Sequence, residues 1–381
     1  MTRFARRALS ALTALVMVGT LFVGAPAPVR ATPHTYYVGH LVNAYAPGSE
    51  CAAPDYWTDG DWTGGGAYNS DNDAIQDAAD HAASGSVIYI CAGTYVFAEV
   101  VTVGAGVNLT FRGDGEETTL DGNDITRIFN ASPVNSSDQG GVLSLRDLLI
   151  SDAEVTEWNA GAVVADGLSL DNVTITRSSG AYNGGALYAE GNVTIVDSTF
   201  TDNIANADGG ALYAWNATST VSVRNSIFDG NYADNQGGAI IGLNVTVIDS
   251  TFTDNAAEYG GAISGSITTV TSSTFVNNGA SSLGGAIFAT TATTVTSSTF
   301  TDNTAFIGGA IMSEPTATAT VTGSTFTRNE AFTGGAVYST SATVNGSTFT
   351  DNRASYGSGG AFYAVDATIK FLLDPRRCSN S

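Results

Sequence analysis

Residues 237–255 read Gly-Gly-Ala-Ile-Ile-Gly-Leu-Asn-Val-Thr-Val-Ile-Asp-Ser-Thr-Phe-Thr-Asp-Asn, and the next Gly-Gly follows at Gly260. Inside the stretch, Val245-Thr246-Val247 alternates an apolar with a hydroxyl-bearing β-branched side chain, the period of a strand with one buried face. The same unit recurs outward in both directions. Gly-Gly-Ala plus an apolar residue starts at Gly184, Gly209, Gly237, Gly260, Gly284, Gly308, Gly334 and Gly359, at spacings of 23 to 28 residues. Between these lies Phe-x-x-Asn, with Phe at 200, 228, 252, 275, 300, 326 and 349 and Asn at 203, 231, 255, 278, 303, 329 and 352. From each Asn to the next Gly-Gly is 5 to 7 residues, whereas Gly-Gly to Phe varies from 15 to 19, so one turn is nearly fixed and another absorbs insertions.

A unit of two or three short strands cannot close its own core, so the units must stack. Leucine-rich repeats need a Leu lattice and propeller blades need about 40 residues, and neither fits. A parallel β-helix does. It predicts a file of Phe rings, one per coil at strand spacing, and a file of Asn side chains bonding one another and the turn backbone. The Gly pair permits positive φ or close backbone approach, and the following Ala suits a crowded corner.

This alternation resembles the repeats of the polymorphic outer membrane protein family and, more broadly, secreted bacterial proteins with right-handed parallel β-helix repeats. The resemblance covers roughly residues 160 to 365. It implies an all-β, right-handed parallel β-helix (solenoid), and the motif is specific for fold rather than for activity.

At the N-terminus, Arg3, Arg6 and Arg7 precede an apolar run at 8–23, and Val29-Arg30-Ala31 suits a signal peptidase, so secretion with cleavage after Ala31 is expected. Asp71 to Ala83 reads as a helix, with Ile75, Ala78, Ala79 and Ala82 on one face, that caps the first coil. The expected organisation is signal peptide 1–31, N-terminal segment and capping helix 32–86, parallel β-helix 87–366 and tail 367–381. In an oxidising compartment Cys51 and Cys91 are expected to pair, leaving Cys378 over. Beyond Tyr363 the sequence offers neither an amphipathic helix nor the barrel segments of outer-membrane autotransporters. Either the apolar run ending at Leu373 folds over the last coil, or the gene product is shortened.

The 381 residues carry 36 acidic and 14 basic side chains, net −22, and loss of four arginines with 1–31 would take this to −26. A single Lys, Lys370, excludes nucleic-acid binding, which needs many phosphate contacts. No segment after the signal is apolar enough to span a membrane. Lyases on this fold neutralise a uronate with Ca²⁺ and an Arg or Lys base, yet only Arg224 is basic between Ser178 and Thr327. Arg112, Arg127, Arg146 and Arg177 lie near Asp147, Asp152 and Glu154, where solvated surface pairs are expected. Asp202, Asp229 and Asp254 read as acids beside the Asn file in three successive units. Stacked, they would splay into solvent or hold Ca²⁺. The function expected is a non-catalytic, monomeric, secreted or cell-surface module that meets an extracellular glycan or another cell. A polysaccharide lyase or glycoside hydrolase is the alternative. The discriminating feature would be a groove with an Arg or paired acids beside aromatic side chains such as Trp158, Trp215 or Tyr188.

Overall fold

A computed structural model describes residues 33–39, 71–131, 140–157 and 159–370. Residues 1–31, where a signal peptide is expected, and Cys51, Trp158, Cys378 and residues 371–381 lie outside them. The described residues form a right-handed parallel β-helix of about 11 turns. One coil runs through strands Ile240–Ile248, Thr251–Thr253 and Ala256–Tyr259, then through Gly260-Gly261-Ala262 to Ile263–Thr271. Ile240 pairs in parallel with Ile263, so one 23-residue unit is one coil. The first two segments of successive coils make a sheet of 30 strands, and the third segments make one of nine. The large sheet takes in Thr35–Val38, paired with Val87–Ile90, and Asp366–Lys370, so it passes both expected boundaries, 87 and 366.

The Phe file stands as the repeat implies. From Phe200 to Phe349 consecutive ring centroids are 4.8 Å apart with interplanar angles of 2–6°. Leu120, Ile150 and Ile175 extend it N-terminally through the strand register. The Asn file is fully satisfied. Asn278 donates from Nδ2 to Asn303 Oδ1 and to the Phe252 carbonyl, each at 3.0 Å, while its backbone N–H donates to the same Asn303 Oδ1 at 3.0 Å. In the Gly pair the two residues answer different demands. Gly260 has φ +63°, whereas a Cβ on Gly261 would lie 2.2 Å from the carbonyl oxygen of Gly285, one coil on.

A third file has a pattern the repeat leaves unread. Ser198, Ser226, Ser250, Ser273, Ser298, Ser324 and Ser347 are buried one per coil. Each is bonded to its neighbours; the Ser250 N–H donates to Ser273 Oγ at 3.2 Å and its own Oγ donates to the Ile248 carbonyl at 2.7 Å.

Besides the Gly pair, two corners per coil hold a residue at positive φ, and neither places acids in adjacent coils. The corner before Asn runs Asp152, Arg177, Asp202, Gly230, Asp254, Asn277, Asp302, Arg328, Asp351, with φ of 50–64°. Between each two acids stands a cation, an amide or Gly. Arg177 clasps Asp152 at 2.6 and 2.7 Å, Arg328 clasps Asp302 at 2.8 and 2.7 Å, and Asn277 donates to Asp254. The Arg177 hydrogen bond holds the Asp152 carboxyl below the usual carboxylate range. The corner before Ser begins Asp147, Asn172, Asp197, Asn225, Asp249. Asn172 donates to Asp147 at 2.9 Å and Asn225 donates to Asp197.

This register corrects the reading of Asp202, Asp229 and Asp254 as one file. The residue level with Asp202 and Asp254 is Gly230; Asp229 pairs with Thr201 and Thr253, one position earlier on the strand. A Cβ on Gly230 would lie 2.5 Å from Asp202 Oδ1, the mobile end of a side chain, and neighbouring coils carry Asp, Asn or Arg at this corner, so Gly is one of several residues the corner accepts.

The helix α1 (Asp71–His81) closes the N-terminal end, with Ala74, Ile75, Ala78 and Ala79 buried in the common core. Its Gln76 side chain accepts from the Thr102 N–H at 2.7 Å and donates to the Thr102 carbonyl at 2.9 Å, completing a strand edge as a neighbouring strand would. Cys91 is fully buried beside the first strands, its carbonyl accepting from the Tyr95 hydroxyl at 2.8 Å.

Candidate functional site

In the segment after each Gly-Gly-Ala, side chains alternate between the core and the outer surface. Strand register places Tyr188, Tyr213, Ile241, Ser264, Phe288, Met312, Tyr338 and Tyr363 in one outward row. Ile241, Phe288 and Met312 are nonetheless buried, at 3%, 5% and 6% exposure, although none belongs to the core cluster. Cover comes from outside. The residue just before a Gly pair leans over the row one coil on: Tyr259 packs on Phe288 at 5.7 Å, and Gln236 Oε1 accepts from Ser264 Oγ at 3.0 Å. The row is thus the floor of a groove filled at its middle and open toward both ends.

The N-terminal opening holds the most chemistry. Tyr188 and Tyr213 stack at 5.1 Å with an interplanar angle of 1°. Burial raises both phenol pKa values, helped by Glu190 at Tyr188 and by Asp208 at Tyr213, so both remain O–H donors at neutral pH. Asp208, the residue before Gly209, accepts from Asn235 Nδ2 at 2.8 Å and from the Gln236 N–H at 3.1 Å. Burial nevertheless pushes its carboxyl pKa up, those two hydrogen bonds opposing the rise. Trp215, 36% exposed, rides on the bend after Ala214, which Ser219 fixes by donating to the Ala214 carbonyl at 2.7 Å. That bend is the insertion in the longest unit, the 28 residues from Gly209 to Gly237.

On the turns just before the Gly161 and Gly184 corners is a depression of about 700 Å³ lined by Thr156, Glu157, Asn159, Tyr182 and Asn183. Its residues 182 and 183 abut the Asp208 coil, since the Ala207 N–H donates to the Tyr182 carbonyl at 2.9 Å. Arg127 anchors the opposite wall by donating to the carbonyls of Asn159 and Ala160. Burial lowers its pKa to about 10, which leaves it cationic at neutral pH.

Of the side chains singled out from the sequence, Tyr188 and Trp215 belong to this site. Asp202, Asp229 and Asp254 lie on a different corner of the coil. Among the described residues no group of three or more His, Cys, Asp or Glu is gathered to hold a metal ion. The arginines of the first coils make surface pairs, Arg112 with Asp147 at 3.1 Å and Arg146 with Asp171 at 3.9 Å. Asp208, Glu190 and Tyr213 escaped sequence reading. Their signal is positional: Asp208 is one residue before a Gly pair, Glu190 six residues after the first Gly of one, and Tyr213 four residues after.

Among the described residues no helix is long and apolar enough to cross a membrane. Residues 210–372 match the family described as the right-handed β-helix region, and residues 197–214 match the Chlamydia polymorphic membrane protein repeat. No curated protein matches the chain. Three solved structures are similar in fold. ORF18 of Geobacillus virus E2 is 13% identical with a TM-score of 0.45, over 80% of this chain and 59% of its own. The catalytic unit of a GH87 α-1,3-glucanase from Streptomyces thermodiastaticus is 15% identical with a TM-score of 0.45, over 80% and 66%. PfbA, a surface adhesin of Streptococcus pneumoniae, is 14% identical with a TM-score of 0.36, over 76% and 88%. The chain therefore spans less than two thirds of the first two, and none of the three decides a function. By fold it is a right-handed parallel β-helix, with repeats similar to those of the polymorphic membrane proteins.

Proposed function

We propose that the protein is a secreted or cell-surface, non-catalytic module that binds a neutral extracellular glycan at the N-terminal opening of the groove. The observation that carries this reading is the stacked Tyr188–Tyr213 pair with Asp208 and Glu190 beside it. Phenol donors, carboxylate acceptors and a nearby indole are the groups that recognise sugar hydroxyls and apolar sugar faces. Net charge −22 opposes a polyuronate, which would be repelled unless a cation intervened. Binding to a panel of immobilised neutral and uronate-containing polysaccharides tests this. A neutral polymer is expected to bind without added Ca²⁺, and Tyr188→Ala and Tyr213→Ala should each weaken it about tenfold. Binding restricted to uronates, or indifferent to both substitutions, would overturn the assignment.

A glycoside hydrolase is the second reading, favoured by Asp208, an acid of raised pKa with Glu190 in the same groove. Release of reducing ends from the bound polymer, abolished by Asp208→Asn, would select it. Secretion carries with it the Cys51–Cys91 disulfide. Thiol titration of the secreted, denatured protein should then find one reactive thiol, that of Cys378.

A further inference from the structure

The outward row opens a second time, in the C-terminal coils, and the second opening repeats the first. Tyr338 and Tyr363 stack at 4.8 Å with an interplanar angle of 5°, as Tyr188 and Tyr213 do at the other end. All four rings are half-buried. Between the two pairs the row runs Ile241, Ser264, Phe288 and Met312, and each of these is buried.

The row alongside changes character at the same coils. It is made of the residue before each Gly pair, and register carries it through Asp208, Gln236, Tyr259, Leu283, Ile307 and Thr333. The Gly184 N–H donates to the Asp208 carbonyl and the Gly334 N–H to the Ser358 carbonyl, which extends the row to Asn183 and Ser358. Five residues before each paired tyrosine there is thus a short polar side chain: Asn183, Asp208, Thr333 or Ser358. Five residues before each member of the buried middle there is a larger one: Gln236, Tyr259, Leu283 or Ile307. Larger side chains fill the groove, and short ones leave a tyrosine pair open beside a hydrogen-bonding group. Two openings of one construction therefore share one row, with Tyr213 and Tyr338 five coils apart, about 24 Å at strand spacing.

We infer that the second opening is a second subsite for the same neutral glycan, and that one extended chain lying along the stack of coils occupies both. This rests on the reading of the first opening as a glycan site. Both openings offer stacked phenols in one orientation, flanked on the same side by short hydrogen-bonding groups, which suits a ligand whose sugar units repeat along its length. Charge narrows the occupant further. Asp208 and Glu190 make the first opening acidic, whereas Thr333, Tyr338, Thr340, Ser358 and Tyr363 bring no charge to the second. A cationic chain would find a partner at one opening only, and an anionic chain would be repelled there, so an uncharged chain suits both. Once one opening is occupied, contact at the other is intramolecular, and affinity rises when the ligand is long enough to span the gap.

Titration calorimetry on the full chain, with trisaccharides and decasaccharides of dextran, xylan and mannan, tests this. For the sugar that binds, two trisaccharides are expected per protein, against one decasaccharide held about tenfold more tightly. In the double variant Tyr338→Ala, Tyr363→Ala one trisaccharide should bind and the gain with length should vanish. Thr333→Tyr should have the same effect with every tyrosine in place, because it copies the way Tyr259 closes the groove over Phe288 one coil on. It decides the matter if the double variant fails to fold. One trisaccharide per native protein, lost in Tyr188→Ala, with a decasaccharide no tighter, would overturn the second subsite and leave the first opening as the glycan site. Absence of binding, or binding indifferent to the substitutions at both openings, would overturn the two together.

Discussion

Single side chains show where this stacked design is saturated and where it is not. Each interior Asn of the file has both amide hydrogens and its oxygen engaged, yet the Thr268 hydroxyl, buried among core positions, has no hydrogen-bond partner. Val245 and Thr293 occupy the same place in the adjacent coils, so the site accepts the shape of a valine. Thr268→Val should therefore stabilise the protein by about 1 to 2 kcal/mol in chemical denaturation, because it removes an uncompensated buried hydroxyl. Asp208 makes a pH-dependent counterpart. Its folded pKa is raised by burial, so the folded state binds the proton more tightly than the unfolded state, and stability declines as pH rises from the ordinary carboxylate range to the raised value. An Asn keeps the acceptor for Asn235 and Gln236 and removes the charge. Asp208→Asn should match the native melting temperature near pH 3 and exceed it at about pH 7. A native advantage at neutral pH would show that the charge is stabilised rather than penalised.

At the scale of the coil, what is legible in the sequence depends on whether one residue type alone can do the job. Only Gly fits beneath the carbonyl of the next coil, only a flat ring stacks at 4.8 Å, and only an amide both gives and takes along the file. Those three repeat without substitution in the middle coils and can be read directly. The corners at positive φ tolerate Asp, Asn, Ser, Gly and even Arg, so their files hide in a changing alphabet. Asp229 is a different case. Phe228-Asp229-Gly230-Asn231 has the same length as Phe-Thr-Asp-Asn, but its acid directly follows the Phe, and strand register accordingly sets it level with Thr201 and Thr253. The groove was harder still, since Asp208, Tyr188 and Glu190 come from separate coil positions with no shared motif. The Phe file gives the sharpest test at this scale. Phe275 has rings at 4.8 Å on both faces, and strand hydrogen bonds fix the coil spacing, so the site cannot collapse. Phe275→Ala should cost about 3 to 5 kcal/mol of unfolding free energy while the strand content by circular dichroism persists. A loss below about 1 kcal/mol would mean that the file is not the main source of core cohesion.

Across the whole molecule, a net charge of −22 has to be carried on a rod whose coils lie one strand spacing apart. Acids repeated at every coil would repel their neighbours directly. The alternation at both corners doubles their separation and inserts Arg177, Arg328 or an amide donor between them. That arrangement bears on calcium. At Asp202 the file has Arg177 on one side and Gly230 on the other, and Asp254 receives the Asn277 amide, so these carboxylates are already engaged or spaced. Asp229 is the exception. Its carboxyl pKa is raised by burial and then by Asp254 and Asp202. A ligand selective for the folded state must raise the melting temperature by mass action. Millimolar Ca²⁺ is therefore expected to leave the melting temperature within about 1 °C of its value in chelator, beyond a small effect shared with Mg²⁺ through general screening. A larger rise specific to Ca²⁺, reversed by chelator and abolished by Asp229→Asn, would instead make Asp202, Asp229 and Asp254 a cation site. It would also reopen acidic glycans as partners, because a bound cation is what the charge of this surface would need to meet them.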